Sequence, residues 1–399
     1  MKVAFICLPE PGHVNATLRL CFELEELGHD VRYVSSSEQT VNVFLDRGLK
    51  VVRPQFSKDA AGNPLVTAPI GLEGFEPDVA LIDAVYPEAT ILAWRQGMSV
   101  LRLSTTFSTR YNPSLPPVSS TLCPTEDPKD AAAFEQAWAC EYDQNVRGPW
   151  LTGIVELAAE LGFPRQYVDD RSALGITCRV PELVLAPREL EFAHPAQADQ
   201  AFAGPCVHLE RRETGGGSIA YPNDGEPLIY CAFGTQHSRY SDAREWLDLV
   251  LGAARQCEEL HFVISADPAL CGELTPNVRV FPFVPQLEVL RRARLMLSHG
   301  GLNSVKEALC CGVPLCILPF DMDQPGNAAR ISHHGYGYGV PWKDTSREAL
   351  AEILRRAVRD VAMRERTQAL GARLRAALEE RHAARAFTAL SASALARAR

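Results

Sequence analysis

No run of apolar residues in the chain approaches the roughly 20 that a membrane-spanning helix requires. The opening stretch MKVAFICLPEPGH carries an apolar run of only six residues before Pro9, shorter than the core of a secretory signal. No integral membrane segment is therefore expected, and the cytoplasm is the expected compartment. No C-x-x-C pair occurs either. The twelve cysteines are scattered through apolar segments, so they read as small buried hydrophobes rather than a disulfide or metal framework. Nor is there an excess of positive charge: a formal net charge of −9 argues against nucleic acid as the main partner. Short-period repeats and low-complexity tracts are missing too.

What is present is the composition of a soluble globular protein, 46% hydrophobic and 22% charged, in a chain too long for one ordinary core. At 399 residues two domains of about 200 residues are the natural division. Short β-type runs alternate with helical patterns: KVAFICL, DVRYVSS, LKVVRP, DVALID and SVLRLS, then LIYCAFG, HFVISA, VRVFPF, RLMLS and PLCILPF. This alternation predicts an α/β protein with two Rossmann-like, doubly wound parallel-sheet domains. The helix after Asn15 has an apolar face of Leu20, Cys21, Leu24 and Leu27, with Gly28 as its stop. Residues 214–227, TGGGSIAYPNDGEP, hold little that can be buried and read as a linker. The expected division is residues 1–213, that linker, 228–375, and a helical tail over 376–399 packing back across the domains. Five prolines between Arg110 and Lys129 predict a long surface loop there.

In doubly wound sheets ligands collect beyond the carboxyl ends of the strands, where the strand order reverses. With the usual order 3-2-1-4-5, strands 1 and 4 are neighbours at that point. His13, in the loop after strand 1, and Asp83, at the end of DVALID, then meet at one crevice. A carboxylate beside an imidazole fixes its tautomer and stabilises its protonated form, the arrangement of a general base. Taken singly, each residue has a plainer use, His13 in the loop and Asp83 as a helix cap. In the second domain HGGLNS, His299 to Ser304, joins RLMLS to the helical VKEALCCG. Its glycines permit a tight turn close to a ligand, and the first N–H groups of the following helix favour negative charge. Ser304 and Glu307 also have the S-x-x-E spacing of a capping box, so this stretch alone leaves capping and anion binding open.

The whole segment from Phe283 to Arg330, FVPQLEVLRRARLMLSHGGLNSVKEALCCGVPLCILPFDMDQPGNAAR, resembles the donor signature of UDP-glycosyltransferases, inverting enzymes of the GT-B fold whose two Rossmann-like domains face a cleft. LIDAVYPEAT and VLRLSTTFS extend the likeness weakly through the first domain, and the DQPGNAARISHHG ending is most similar to bacterial members such as carotenoid and macrolide glucosyltransferases. The resemblance implies transfer of a hexose, glucose above all, from a UDP-sugar to a hydroxyl of a small, largely apolar acceptor. It implies that Phe283 stands against the base where the family usually has tryptophan, that the Val284 backbone meets the base, and that Gln286 and Glu307 bind the ribose. His299, Gly301, the Leu302 N–H, Asn303 and Ser304 would hold the diphosphate with Gly234 and Thr235 nearby, while Asp323 and Gln324 would contact the sugar. The UDP-sugar is a co-substrate, and no cofactor or metal is expected, although Asp321-Met322-Asp323 superficially matches a metal-binding D-x-D. Two departures are Ala16 where many relatives have proline and Gly300 with Leu302 where plant enzymes have cysteine and tryptophan.

Aromatic residues at Phe107, Tyr111, Phe134, Trp138, Tyr142 and Trp150 suit an apolar acceptor pocket, or equally an ordinary core. The alternatives are a dTDP-sugar-dependent antibiotic glycosyltransferase, a sugar-nucleotide epimerase of the same fold, and a sugar-nucleotide binding protein without transfer. The last of these has no use for a His13–Asp83 pair. The oligomeric state and the acceptor are not specified by the sequence.

Overall fold

Valine-, isoleucine- and leucine-rich runs bounded by turn residues form the strands in both halves of the chain. The structure, a computed structural model, describes all residues except 59–63, 126, 128, 149, 212, 214–218, 220, 222–224, 235–240 and 399. In the first half β1 (Lys2–Ile6), β2 (Asp30–Val34), β3 (Val51–Val52), β4 (Val79–Asp83), β5 (Ser99–Ser104), β6 (Glu182–Val184) and β7 (Gln200–Phe202) form one sheet. Its order is β7-β6-β5-β4-β1-β2-β3, and every pairing is parallel. The second sheet contains β8 (Leu228–Ala232), β9 (His261–Ser265), β10 (Val278–Phe281), β11 (Leu295–Ser298), β12 (Leu315–Ile317) and β13 (Gly337–Gly339). Its order is β10-β9-β8-β11-β12-β13, again all parallel. Each sheet reverses its strand order once, between β1 and β4 and between β8 and β11. All ten expected strands are present; β6, β7 and β13 are three-residue additions too short to show a pattern. The central strands β4 and β5 are buried along their whole length, as strands covered on both faces must be.

Chain contacts define two units: Met1–Pro117 with Pro124–Cys206 and Leu378–Arg399, and Val118–Cys123 with Val207–Ala377. Residues 207–213, assigned by the sequence to the first domain, pack in the second unit because Arg211 and Glu213 are tied there, as shown below. Most of the expected linker lies outside the described residues. The proline-rich stretch is irregular but not uniformly a surface loop: Leu115 to Val118 are buried, and Val118–Cys123 belong to the second unit, where the Cys123 thiol lies 3.5 Å from the Ala329 carbonyl. Residues 347–398 are helical except for short breaks at 360 and 380–381, as expected. The last helix returns to the first unit, and its Ala383, Ala384, Phe387 and Leu390 join the core built on Val3, Phe5, Leu81 and Leu101. Buried Glu23 anchors it by accepting from the Ala384 N–H at 3.0 Å, at the end where helix N–H groups lack partners. Eight of the twelve cysteines are buried and none is in a disulfide.

Helix α1 (Pro11–Glu26) starts five residues before the expected position, with Pro11 in its first turn, where a missing N–H is no loss. His13 therefore sits on the first turn of a helix rather than in a loop. Gly28 ends that helix region with φ of +82°, a conformation glycine adopts without strain.

Candidate active site

The parallel register Val3↔Val79 to Ile6↔Ile82 brings the carboxyl ends of β1 and β4 side by side. The site of the first unit lies there. His13 Nδ1 is 2.6 Å from Asp83 Oδ2, with the imidazole side chain 25% exposed and the carboxylate 1%. A charge-assisted bond of that length fixes the Nδ1–H tautomer and leaves the lone pair on Nε2. Asp83 is itself held: the Leu8 N–H donates to Oδ2 at 3.3 Å, the Cys7 thiol points at the same oxygen from 3.7 Å, and the Val85 N–H donates to Oδ1 at 3.4 Å. Burial, and then the Asp83 charge, push the Cys7 thiol well above its ordinary pKa, so it stays a protonated donor. Sequence reasoning missed Thr105, whose hydroxyl is 3.1 Å from His13 Nδ1, although VLRLSTTFS contained the signal in two threonines following the end of β5.

The second unit repeats the arrangement with different chemistry. Register Ala232↔Ser298 puts the ends of β8 and β11 together, so Gly234 and His299 meet. A side chain at Gly234 would begin 2.5 Å from His299 Cε1, and one at Gly301 2.7 Å from Nε2; Gly234 also has φ of +77°. Glycines therefore form the walls of the imidazole slot. His299 is 9% exposed, and burial lowers its pKa to about 4 against a smaller raising effect from a hydrogen bond to Ala232. It is a neutral imidazole at ordinary pH. Thr235 lies outside the described residues.

Helix α3 (Leu302–Cys310) follows, with Gly301 as its N-cap and no side-chain cap. The S-x-x-E capping box does not form: the helix begins at Leu302, so Ser304 is inside its first turn rather than at the N-cap, and both residues have other partners. Gln286 Nε2 lies 3.4 Å from Ser304 Oγ and donates to Glu307 Oε2 at 2.6 Å, while Tyr230 donates to Gln286 Oε1 at 3.2 Å. Glu307 also accepts a bidentate pair from Arg211 at 2.5 and 2.8 Å. Arg211 bonds Glu213, which accepts from the Leu287 N–H at 2.8 Å. Burial works against the Arg211 charge, yet Glu307 and Glu213 outweigh it and raise its pKa. No local sequence signal pointed to Arg211.

Asp323 is the N-cap of α4 (Gln324–His333), in a turn where Met322 has φ of +56°. Its Oδ2 accepts from Asn327 Nδ2 at 2.9 Å. Gln324 is buried, with Oε1 held by the Phe320 N–H at 2.9 Å. Phe283 is 41% exposed and Val284 buried, so the phenylalanine ring is the accessible one of the two. Among the described residues no group of three His, Cys, Asp or Glu side chains is placed to hold a metal ion.

The acceptor candidates divide. Phe107, Phe134 and Trp138 are buried, and Trp138 donates to the Leu115 carbonyl at 2.8 Å. They are core: Phe134 and Trp138 fall one turn apart on the apolar stripe of α2 (Asp130–Arg147). Tyr111 packs edge-on against Trp138 at 5.4 Å, lies under the Arg171 guanidinium at 3.7 Å and donates to Glu135 at 2.8 Å. Tyr142 and Trp150 are exposed.

Two doubly wound parallel sheets, each with a site where its strand order reverses, define the GT-B class. The fold matches the crystal structure of the glycotransferase of kitacinnamycin with a TM-score of 0.72 over 97% of each chain at 23% identity. At the level of sequence, residues 230–373 match the family described as UDP-glucoronosyl and UDP-glucosyl transferase. The chain is 24% identical to the NDP-glycosyltransferase YjiC of Bacillus subtilis (strain 168), over 88% of each chain. It is 28% identical to the zeaxanthin glucosyltransferase of Pantoea ananas, over 75% of this chain and 68% of that one. Residues 230–373 thus carry the family's sequence pattern, and the chain over most of its length is similar to proteins named as glycosyltransferases.

Proposed function

We propose that the chain is an inverting glycosyltransferase that moves a hexose, glucose by preference, from a UDP-sugar to a hydroxyl of a small, largely apolar natural product. The observation that carries this reading is the 2.6 Å contact between His13 and Asp83 at the first switch point. Nε2 of His13 takes the proton of the acceptor hydroxyl as its oxygen attacks the anomeric carbon opposite the leaving group. The bond from that carbon to the diphosphate oxygen breaks, its electron pair leaves with the nucleotide, and the anomeric configuration inverts. Asp83 stabilises the imidazolium that results.

The departing charge is received by the first turn of α3, with Asn303, Ser304 and neutral His299 as hydrogen-bond partners. This needs no divalent metal, and Asp323 is assigned to the sugar. Transfer that is lost in EDTA and restored by Mn²⁺ or Mg²⁺ would show that role to be misassigned. The hydroxylated-sugar preference rests on Asp323 and on Gln324, whose orientation is fixed before any sugar arrives; a deoxysugar leaves buried polar groups unmatched at about 1 to 3 kcal/mol each. The relatives' names support a natural-product acceptor, and the free cysteines and the want of an apolar spanning helix among the described residues support the cytoplasm as its location.

One observation favours a dTDP-sugar as a second reading. Both Glu307 oxygens are engaged by Arg211, which leaves that carboxylate less available to a ribose 2′-hydroxyl. A mass-spectrometric screen crossing UDP-glucose, UDP-GlcNAc and dTDP-sugars with phenolic, polyketide and carotenoid acceptors tests the function. Preference for dTDP-deoxysugars in competition would overturn the UDP-glucose assignment, and turnover of the donor without acceptor would point to an epimerase.

A further inference from the structure

The reading above places diphosphate at the His299–Ser304 turn and sugar at Asp323, and one buried side chain joins the two. Asn327, on the second turn into α4, is 1% exposed. One end of its amide serves two partners: Nδ2 donates to the Gly300 carbonyl at 2.9 Å and to Asp323 Oδ2 at 2.9 Å. The other end, Oδ1, is buried with no hydrogen-bond partner among the described residues. A buried amide with an unmatched acceptor carries a cost, and what offsets that cost here is the pair of N–H bonds.

The geometry points to Asn327 as a positioning residue of the donor site, coupling the aim of the diphosphate turn to that of the sugar-facing carboxylate. The first half of the argument is covalent. A trans peptide is planar, so the N–H of Gly301 points opposite to the C=O of Gly300. Holding that carbonyl against α4 sets the direction of the Gly301 N–H at the mouth of α3. Gly300 accepts this position because it has no side chain; a Cβ there would lie 2.5 Å from Ile317 Cγ2, and its φ is +95°. The second half is electrostatic. The remaining N–H holds one oxygen of Asp323, so the carboxylate keeps a single orientation toward its sugar. Asn327 acts through these groups and is not assigned a contact with the donor.

This inference rests on the glycosyltransferase reading, and the experiment separates the two. Binding of UDP and of dTDP alone is measured by calorimetry on the full chain, followed by donor KM and kcat at saturating acceptor. Asn327→Asp keeps the shape but removes both donors and sets a carboxylate against the Gly300 carbonyl and Asp323. It is expected to weaken nucleotide binding and raise donor KM by about tenfold or more, with kcat at saturating donor and the shape of its pH profile nearly unchanged. Asn327→Ser keeps one O–H donor and is expected to fall between the two; it carries the test if the aspartate variant does not fold. An unchanged Kd and KM in a folded variant, or a fall in kcat alone, overturns the role of Asn327 only. Failure of the unaltered chain to bind either nucleotide overturns the glycosyltransferase reading and this inference with it.

Discussion

His13 and His299 both lie where a doubly wound sheet reverses its order, His13 beyond the first strand of its sheet and His299 beyond the fourth of its own, yet their surroundings have opposite effects. His13 faces a buried carboxylate at 2.6 Å, which favours a proton on the ring. His299 faces glycines and a backbone carbonyl, and burial lowers its pKa to about 4. The same side chain is thereby poised to take up a proton in one unit and kept neutral in the other. What distinguishes them is the neighbour on the adjoining strand: Asp83 at the end of β4, Gly234 just beyond the end of β8. A switch point supplies a place for chemistry, and its second strand decides which chemistry.

The sharpest way to break the comparison is His13→Ala, which is expected to lower transfer to an acceptor of ordinary hydroxyl pKa by about a hundredfold to ten-thousandfold. Calorimetry should find nucleotide binding unaltered, since the nucleotide is assigned to the other unit. Near-normal transfer by this variant would remove the base assignment.

Asp83→Asn is expected to cost less, roughly tenfold to a thousandfold, because an amide still orients the ring but cannot balance an imidazolium. Its loss should be strongly non-additive with that of His13 when the double variant is assayed. Simple multiplication of the two effects would mean that the residues act independently.

The neutral histidine makes a prediction about stability. A base whose pKa is lowered on folding takes up its proton first in the unfolded chain, so stability is lost as pH falls from the unfolded value near 6.5 toward about 4. Between pH 6.5 and 5 this amounts to roughly 2 kcal/mol. Urea unfolding of the wild type and of His299→Gln at both pH values isolates the contribution, and equal slopes would show that His299 is not held neutral.

The smallest effect expected is that of Gly234→Ala. A methyl group 2.5 Å from His299 Cε1 at a φ of +77° must displace the ring, weakening donor binding by about tenfold without moving the pH–rate limb set by His13. A shift in that limb would mean that the two histidines are not separable.

The part of this site legible in the sequence was the part fixed by strand order. His13 and Asp83 are 70 residues apart, but a parallel sheet of the usual order leaves their strands little choice of neighbour. Thr105, Arg211 and Asn327 were not legible as partners. They reach across 92, 96 and 27 residues through side chains whose paths depend on how loops and helices pack. The aromatic residues show the same limit from the other side: Phe107, Phe134 and Trp138 had the composition of an acceptor pocket and are buried, because composition does not say which side of a loop or which face of a helix is covered.

By itself, then, the sequence determined the alternation of strands and helices, and hence two parallel sheets and the positions of their switch points, since side-chain periodicity and turn residues act locally. It also determined the glycines that let the backbone turn at His299. Only the tertiary structure decided that Ser304 and Glu307 answer to Gln286 and Arg211 rather than to a helix cap, that the segment 118–123 belongs to the second unit, and that one histidine is paired while the other is neutral. Those outcomes depend on desolvation and on partners distant in the chain, and both exist only once the sheets have assembled.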